Sequence, residues 1–169
     1  MSETLRLAGI VNDSITDGPG LRLAVFLQGC PRRCKGCHNP TALSFEGGYE
    51  CADEEILSMI KKNVLLSGVT LTGGEPFCQA EKLVPLAKRI KEMGLELAIY
   101  TGYTFEEVLA DEKMAALAVL ADVIIDGEFV LEQRDLSQKF KGSKNQRIID
   151  VQECLKNKKT TLCISERWN

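Results

Sequence analysis

The chain has 169 residues, 44% hydrophobic and 27% charged, the proportions of a water-soluble globular protein long enough to bury a real core. Lys and Arg number 21 against 24 Asp and Glu, and the resulting net charge of −3 argues against a nucleic-acid or anionic-membrane partner. No apolar run reaches transmembrane length, and the opening MSETLRLAGIV lacks a basic-then-apolar leader, so a cytoplasmic location is expected.

Residues 21–29 (LRLAVFLQG) are a mostly apolar run that stops at Cys30, as a buried strand does when it delivers a loop. The loop, CPRRCKGCHNP, sets Cys30, Cys34 and Cys37 at C-x3-C-x2-C spacing with no fourth cysteine close behind. Residues 52–63 read as a helix with acids in the first turn, Lys61 and Lys62 in the last, and Ile56, Ile60 and Val64 on one face. GVTLTGGEP (68–76) is a short strand closing on two glycines and a proline. A helical pattern runs from about Gln79 to Met93 with Gly94 as its cap, and Pro85 marks where the regular part begins. LELAIYTG (95–102) is a strand, Thr104 and Glu107 have the capping-box spacing that opens a helix, and DVIIDGEF (122–129) is the next strand. From about Leu131 the pattern weakens, and SQKFKGSKNQR reads as a basic loop.

This alternation predicts one α/β domain over residues 1–169, with parallel strands joined by right-handed crossovers into a closed or half-closed barrel. Cys30, residues 73–76, Thr101 and Asp126 each fall at the C-terminal end of a predicted strand. In a β/α barrel those ends share the rim where active sites are built, which points to an enzyme.

Seven cysteines, three of them crowded, in a chain without a secretion signal indicate metal or redox chemistry rather than a disulfide framework. Spacing alone leaves two readings open. One is a non-catalytic module with structural zinc, completed by Cys51 or Cys78, since His38 directly follows Cys37 and adjacent residues rarely ligate one ion. The other is an iron–sulfur cubane held by three thiolates, whose remaining iron is free for a non-protein ligand. Gly73 and Gly74 lack a Cβ and would let a ligand lie against the backbone, and Glu75 would accept from an ammonium group. Cys51, Cys78, Cys154 and Cys163 are scattered and read as ordinary thiols.

C-x3-C-x2-C at a strand end, followed by Gly-Gly-Glu-Pro, resembles the radical S-adenosylmethionine superfamily. DSITDGPGLRLAVFLQGCPRRCKGCHNP is similar to the opening of the activating enzymes of glycyl radical enzymes. Gly36 before the third cysteine, YTGYTFEE, ADVIIDGEFV and RDLSQKFKGSKNQRIIDV resemble the branch that serves anaerobic ribonucleoside-triphosphate reductase. Pyruvate formate-lyase activases are a neighbouring branch and usually longer. The resemblance implies a partial, open barrel with a [4Fe-4S] cluster on Cys30, Cys34 and Cys37. S-adenosylmethionine would bind through Gly36, Cys37, His38, Gly73, Gly74, Glu75, Pro76, Thr101 and Asp126. It also implies a glycyl radical partner and a reductant such as flavodoxin or ferredoxin. No side chain is assigned a catalytic role of its own, because the cofactors carry the radical chemistry. Asp17, in DGPG, matches a position that helps hold a monovalent cation in some activases. Glu128 stands where some relatives carry a lysine. Lys139, Lys141, Lys144 and Arg147 are expected to face the partner enzyme.

Overall fold

The computed structural model describes residues 3–169; Met1 and Ser2, the start of the stretch read for a leader, lie outside it. Seven strands form one sheet in the order β3-β1-β2-β4-β5-β6-β7. They are β1 (Thr4–Ser14), β2 (Arg22–Leu27), β3 (Tyr49–Ala52), β4 (Gly68–Gly73), β5 (Glu96–Tyr100), β6 (Val123–Asp126) and β7 (Arg147–Asp150). The four central strands, β2, β4, β5 and β6, run parallel, as their near-continuous apolar sequences require of strands buried on both faces. β1, β3 and β7 are antiparallel additions at the edges, a correction to the all-parallel expectation. Among the described residues β3 and β7, the two ends of the sheet, do not pair with each other, and β7 has only a single bridge beyond β6, Ile149 to Leu162, so the barrel is partial and open.

The helices are α1 (Asp53–Lys62), α2 (Ala80–Glu92), α3 (Phe105–Ala110), α4 (Glu112–Ala118) and α5 (Val151–Asn157). Side chains alternate across each strand, and the two faces have different covers. Leu97, Ile99, Ile124 and Ile149 join the helix-side core with Ile56, Leu83, Leu86, Ile90, Val108 and Leu117. Ala98, Val123, Ile125 and Ile148 pack on the opposite face against Cys163 and Trp168 near the C-terminus.

Three local readings change. Val64 is 90% exposed because α1 ends at Lys62, so only Ile56 and Ile60 of the predicted face are buried. α2 starts at Ala80 and runs through Pro85. The ring costs a helix interior about 3 kcal/mol, and burying Leu83, Leu86 and Ile90 at about 1.5–3 kcal/mol each outweighs it. The region after Leu131 is not loop throughout, since β7 and α5 follow and seat Ile148, Ile149 and Val151. The capping box is present: Glu107 N–H donates to Thr104 Oγ1 at 3.2 Å, and Thr104 N–H donates to Glu107 Oε2 at 2.9 Å. Gly94 has φ +77°, the left-handed conformation of a helix terminator.

Candidate cluster and cofactor site

Because β2, β4, β5 and β6 are parallel, Cys30, Gly73, Thr101 and Asp126 all arrive at one end of the sheet. The cysteine loop is tied at its base. Gly29 N–H donates to Ala42 O (2.7 Å), Cys30 N–H to Leu43 O (3.0 Å), and the Gln28 amide to Thr41 O and Ser44 O (3.0 and 2.6 Å). Cys30, Cys34 and Cys37 are partly exposed free thiols on the wall of one cavity of about 180 Å³. Burial raises the pKa of Cys30 and Cys34 above the usual thiol value, with nearby Glu75 and Glu128 respectively adding to it.

The same cavity is lined by His38, Gly73, Gly74, Glu75 and Thr101. Gly36, Pro76 and Asp126 lie outside that wall. A larger cavity of about 450 Å³, lined by Arg6, Phe77, Lys82 and Met114 among others, holds none of the three cluster-motif cysteines.

Glu75 is 1% exposed and its carboxylate is held by neutral donors only. Thr101 Oγ1 lies 2.8 and 3.0 Å from its two oxygens, Gly102 N–H donates to Oε1 at 2.8 Å, and Phe77 N–H to Oε2 at 3.2 Å. Desolvation outweighs these bonds and pushes its pKa up to about 7. Thr101 thus fixes the orientation of Glu75. Asp126, 1% exposed, is committed to the fold: it accepts from Phe105 N–H at the start of α3 (2.7 Å) and from Arg147 Nε and Nη2 (3.0 and 2.5 Å). Arg147 also pairs with Glu106 at 2.7 Å, so it is a strand-end clamp rather than part of a free basic surface. Lys139 and Lys144 are exposed. Asp17 accepts from Ser14 Oγ at 2.5 Å.

The two glycines have a packing role beside the one read in the sequence. A Cβ on Gly73 would strike Leu27 N and O at 2.5 and 2.6 Å, and one on Gly74 would strike Gly29 O and lie 2.8 Å from Ala42 O. The close approach seen here is of β4 to β2 and the cysteine loop, and both glycines line the cavity as well. Gly74 N–H and Glu75 N–H extend the ladder to Leu27 O and Gly29 O, both at 2.8 Å.

The donor set suits a cubane better than a mononuclear ion. Tetrahedral zinc needs four donors converging on one point. Among the described residues no group of three or more His, Cys, Asp or Glu side chains gathers in that way. A cubane instead asks each thiolate for a different iron, which three separate thiols along one cavity wall can supply.

Comparison with known proteins agrees. Residues 16–149 match the family model described as a 4Fe-4S single cluster domain. The anaerobic ribonucleoside-triphosphate reductase-activating protein of Haemophilus influenzae is 34% identical, the match covering 78% of this chain and 89% of that one. The chain belongs to the radical S-adenosylmethionine activating family. The pyruvate formate-lyase-activating enzyme of Clostridium pasteurianum, 37% identical over 68% of this chain and 52% of its own, falls in the same family. Among solved structures, QueE from Escherichia coli has a TM-score of 0.49 and 19% identity over 60% of this chain and 53% of that one.

As a member of this family the chain is an enzyme with a 4Fe-4S cluster domain, and its site contains residues that the motifs did not point to. Arg32, Asn39, Tyr100, Phe129 and Gln146 all line the cavity. Phe129 meets His38 edge to face at 5.1 Å between ring centroids, and Tyr100 Oη donates to Phe140 O at 2.7 Å. Gln146 lies in the segment read as a basic loop and bonds back to Gly127 O at 3.0 Å. The one available signal was Arg32 itself, one of three basic residues, with Arg33 and Lys35, inside the cysteine loop.

Proposed function

We propose that the protein activates an anaerobic ribonucleoside-triphosphate reductase by generating its glycyl radical through reductive cleavage of S-adenosylmethionine. The observation that carries this reading is the meeting of three free thiols and the Gly-Gly-Glu strand end on one cavity at the parallel end of the sheet. Cys30, Cys34 and Cys37 would hold a [4Fe-4S] cluster through three of its irons and leave the fourth to the ligand. When bound, the cluster supplies the single electron that cleaves the sulfonium and, through it, the abstraction of a hydrogen atom from a glycine. The chain binds and orients. Gly73 and Gly74 bring β4 against the cysteine loop, Thr101 aims Glu75, and the fixed carboxylate offers a negative field to the ligand's ammonium and sulfonium charges. His38, Phe129 and Tyr100 provide ring surface for an adenine.

A second cavity of about 360 Å³ shares His38, Asn39, Thr72, Tyr100, Phe129 and Gln146 with the first and continues to Asp17, Leu136 and Lys141. Leu136 is 81% exposed at its mouth. We assign this cavity to the glycine-bearing loop of the partner, with a cytoplasmic flavodoxin or ferredoxin as electron source.

The test is electron paramagnetic resonance of the anaerobically reconstituted, reduced protein mixed with S-adenosylmethionine and either the reductase or pyruvate formate-lyase. A glycyl doublet with the reductase is expected. A doublet only with the lyase overturns the partner and keeps the chemistry; colourless protein with one zinc per chain overturns both.

A further inference from the structure

Arg32 is the one lysine or arginine among the described residues lining the cluster cavity. Its guanidinium carbon sits 4.6 Å from the centroid of the Tyr103 ring, so stacking fixes the plane and leaves the hydrogen-bonding edges free. Its nearest carboxylates, on Glu107 and Glu128, are both 3.6 Å away, beyond hydrogen-bond length and more than half exposed. Nε is buried and has no hydrogen-bond partner. The side chain is held tightly all the same, since Gly102 packs so close that a Cβ there would lie 2.5 Å from Arg32 Cδ and 2.8 Å from Nε. Gly102 is also the residue whose N–H grips Glu75. A buried guanidinium edge and a buried carboxylate thus both pack against one glycine and line one cavity.

This arrangement fits a zwitterionic amino-acid group, with Glu75 on the side of its cationic end. We propose that Arg32 is the positioning residue for the carboxylate of the methionine moiety, with Nε and one terminal nitrogen forming the bidentate fork that guanidinium gives a carboxylate. The assignment deepens the cofactor reading above and rests on it. Arg32 would set the orientation in which the sulfonium meets the cluster, and would select ligands that keep their carboxylate.

The test measures binding rather than turnover. Reconstituted protein is titrated anaerobically, by equilibrium dialysis, with S-adenosylmethionine and with its decarboxylated analogue. Arg32→Gln should lose on the order of 10- to 100-fold in affinity for S-adenosylmethionine, keep its affinity for the analogue within about threefold, and retain wild-type iron. Arg32→Lys, which keeps the charge and loses the fork, should fall between and serves as the probe if the glutamine variant does not hold its cluster. Equal weakening toward both ligands would make Arg32 a support of the loop and overturn the assignment, as would no weakening at all. If the wild type bound neither ligand, the cofactor reading would fall and take this assignment with it.

Discussion

Arg22 and Glu75 are both buried charges in the sheet, at opposite ends of neighbouring parallel strands, and they are buried in opposite ways. Arg22, at the start of β2, is 0% exposed and surrounded by acceptors: Thr70 Oγ1 (2.8 Å), Glu96 Oε1 (2.8 Å), and the carbonyls of Pro19, Val69 and Glu96 (3.1–3.4 Å), with Trp168 stacked at 5.4 Å. Glu75, just past the end of β4, has only neutral donors, and its carboxylate is left raised in pKa beside a cavity. A buried charge matched by an opposite charge builds the fold. One hydrogen-bonded only by neutral donors, with the Arg32 charge nearby but not bonded to it, leaves much of its field directed at the cavity, at a cost in stability.

The largest effect expected is at the site end. Replacing Cys30, Cys34 or Cys37 with Ala should take iron from about four per chain to near zero, since a three-thiolate site has no spare ligand. Ala at Cys51, Cys78, Cys154 or Cys163 should leave it near wild type; iron loss at Cys51 or Cys78 would mean a four-ligand site.

At the closed end, Arg22→Met should lower unfolding free energy by about 3 kcal/mol, because Glu96 keeps only its longer pair with Arg167 and the buried acceptors Thr70 Oγ1, Pro19 O and Val69 O lose their donor. The urea midpoint should fall with an unchanged slope. An unchanged midpoint would erase the contrast between the two charges.

Glu75 sharpens the contrast through pH. Its folded pKa of about 7 lies above the ordinary carboxylate value of 4.5, so between those values the folded state holds the extra proton. Stability should therefore fall as pH rises from about 4.5 to 7, by on the order of 3 kcal/mol from this group. Glu75→Gln should flatten that slope relative to wild type in urea titrations of the apoprotein; parallel slopes would show that the carboxylate is not strained.

The smallest effect lies on the rim. Lys139→Glu with Lys144→Glu should slow association with the reductase a few-fold, more at low salt, in stopped-flow mixing. Indifference would return these lysines to solvent.

The site was more legible than the sheet around it. The cysteines and the Gly-Gly-Glu turn are spaced by local chemistry, and the buried parallel strands announce themselves as apolar runs. β7 does not, because Ile148 and Ile149 are two apolar residues beside a basic segment, and only pairing with β6 makes them a strand. β1 passed unread although it pairs with both β2 and β3, because Leu5 and Leu7 are its only clear alternation. Arg22, Glu75 and Arg32 show the deeper limit. Each is one charged letter in its own segment, and its role is set by Glu96, Thr101 and Gly102, which come from elsewhere in the chain.

The bonds from Gly74 and Glu75 back to Leu27 and Gly29 also set an order of events as the protein is made. The cysteine loop takes its shape from the parallel pairing of β2 with β4, two segments separated by β3 and α1, and non-local parallel pairing is slow. Until that pairing closes, the three thiols hang on an unfinished loop. A cluster bound by that loop would find its three thiols in place only after β2 and β4 have paired.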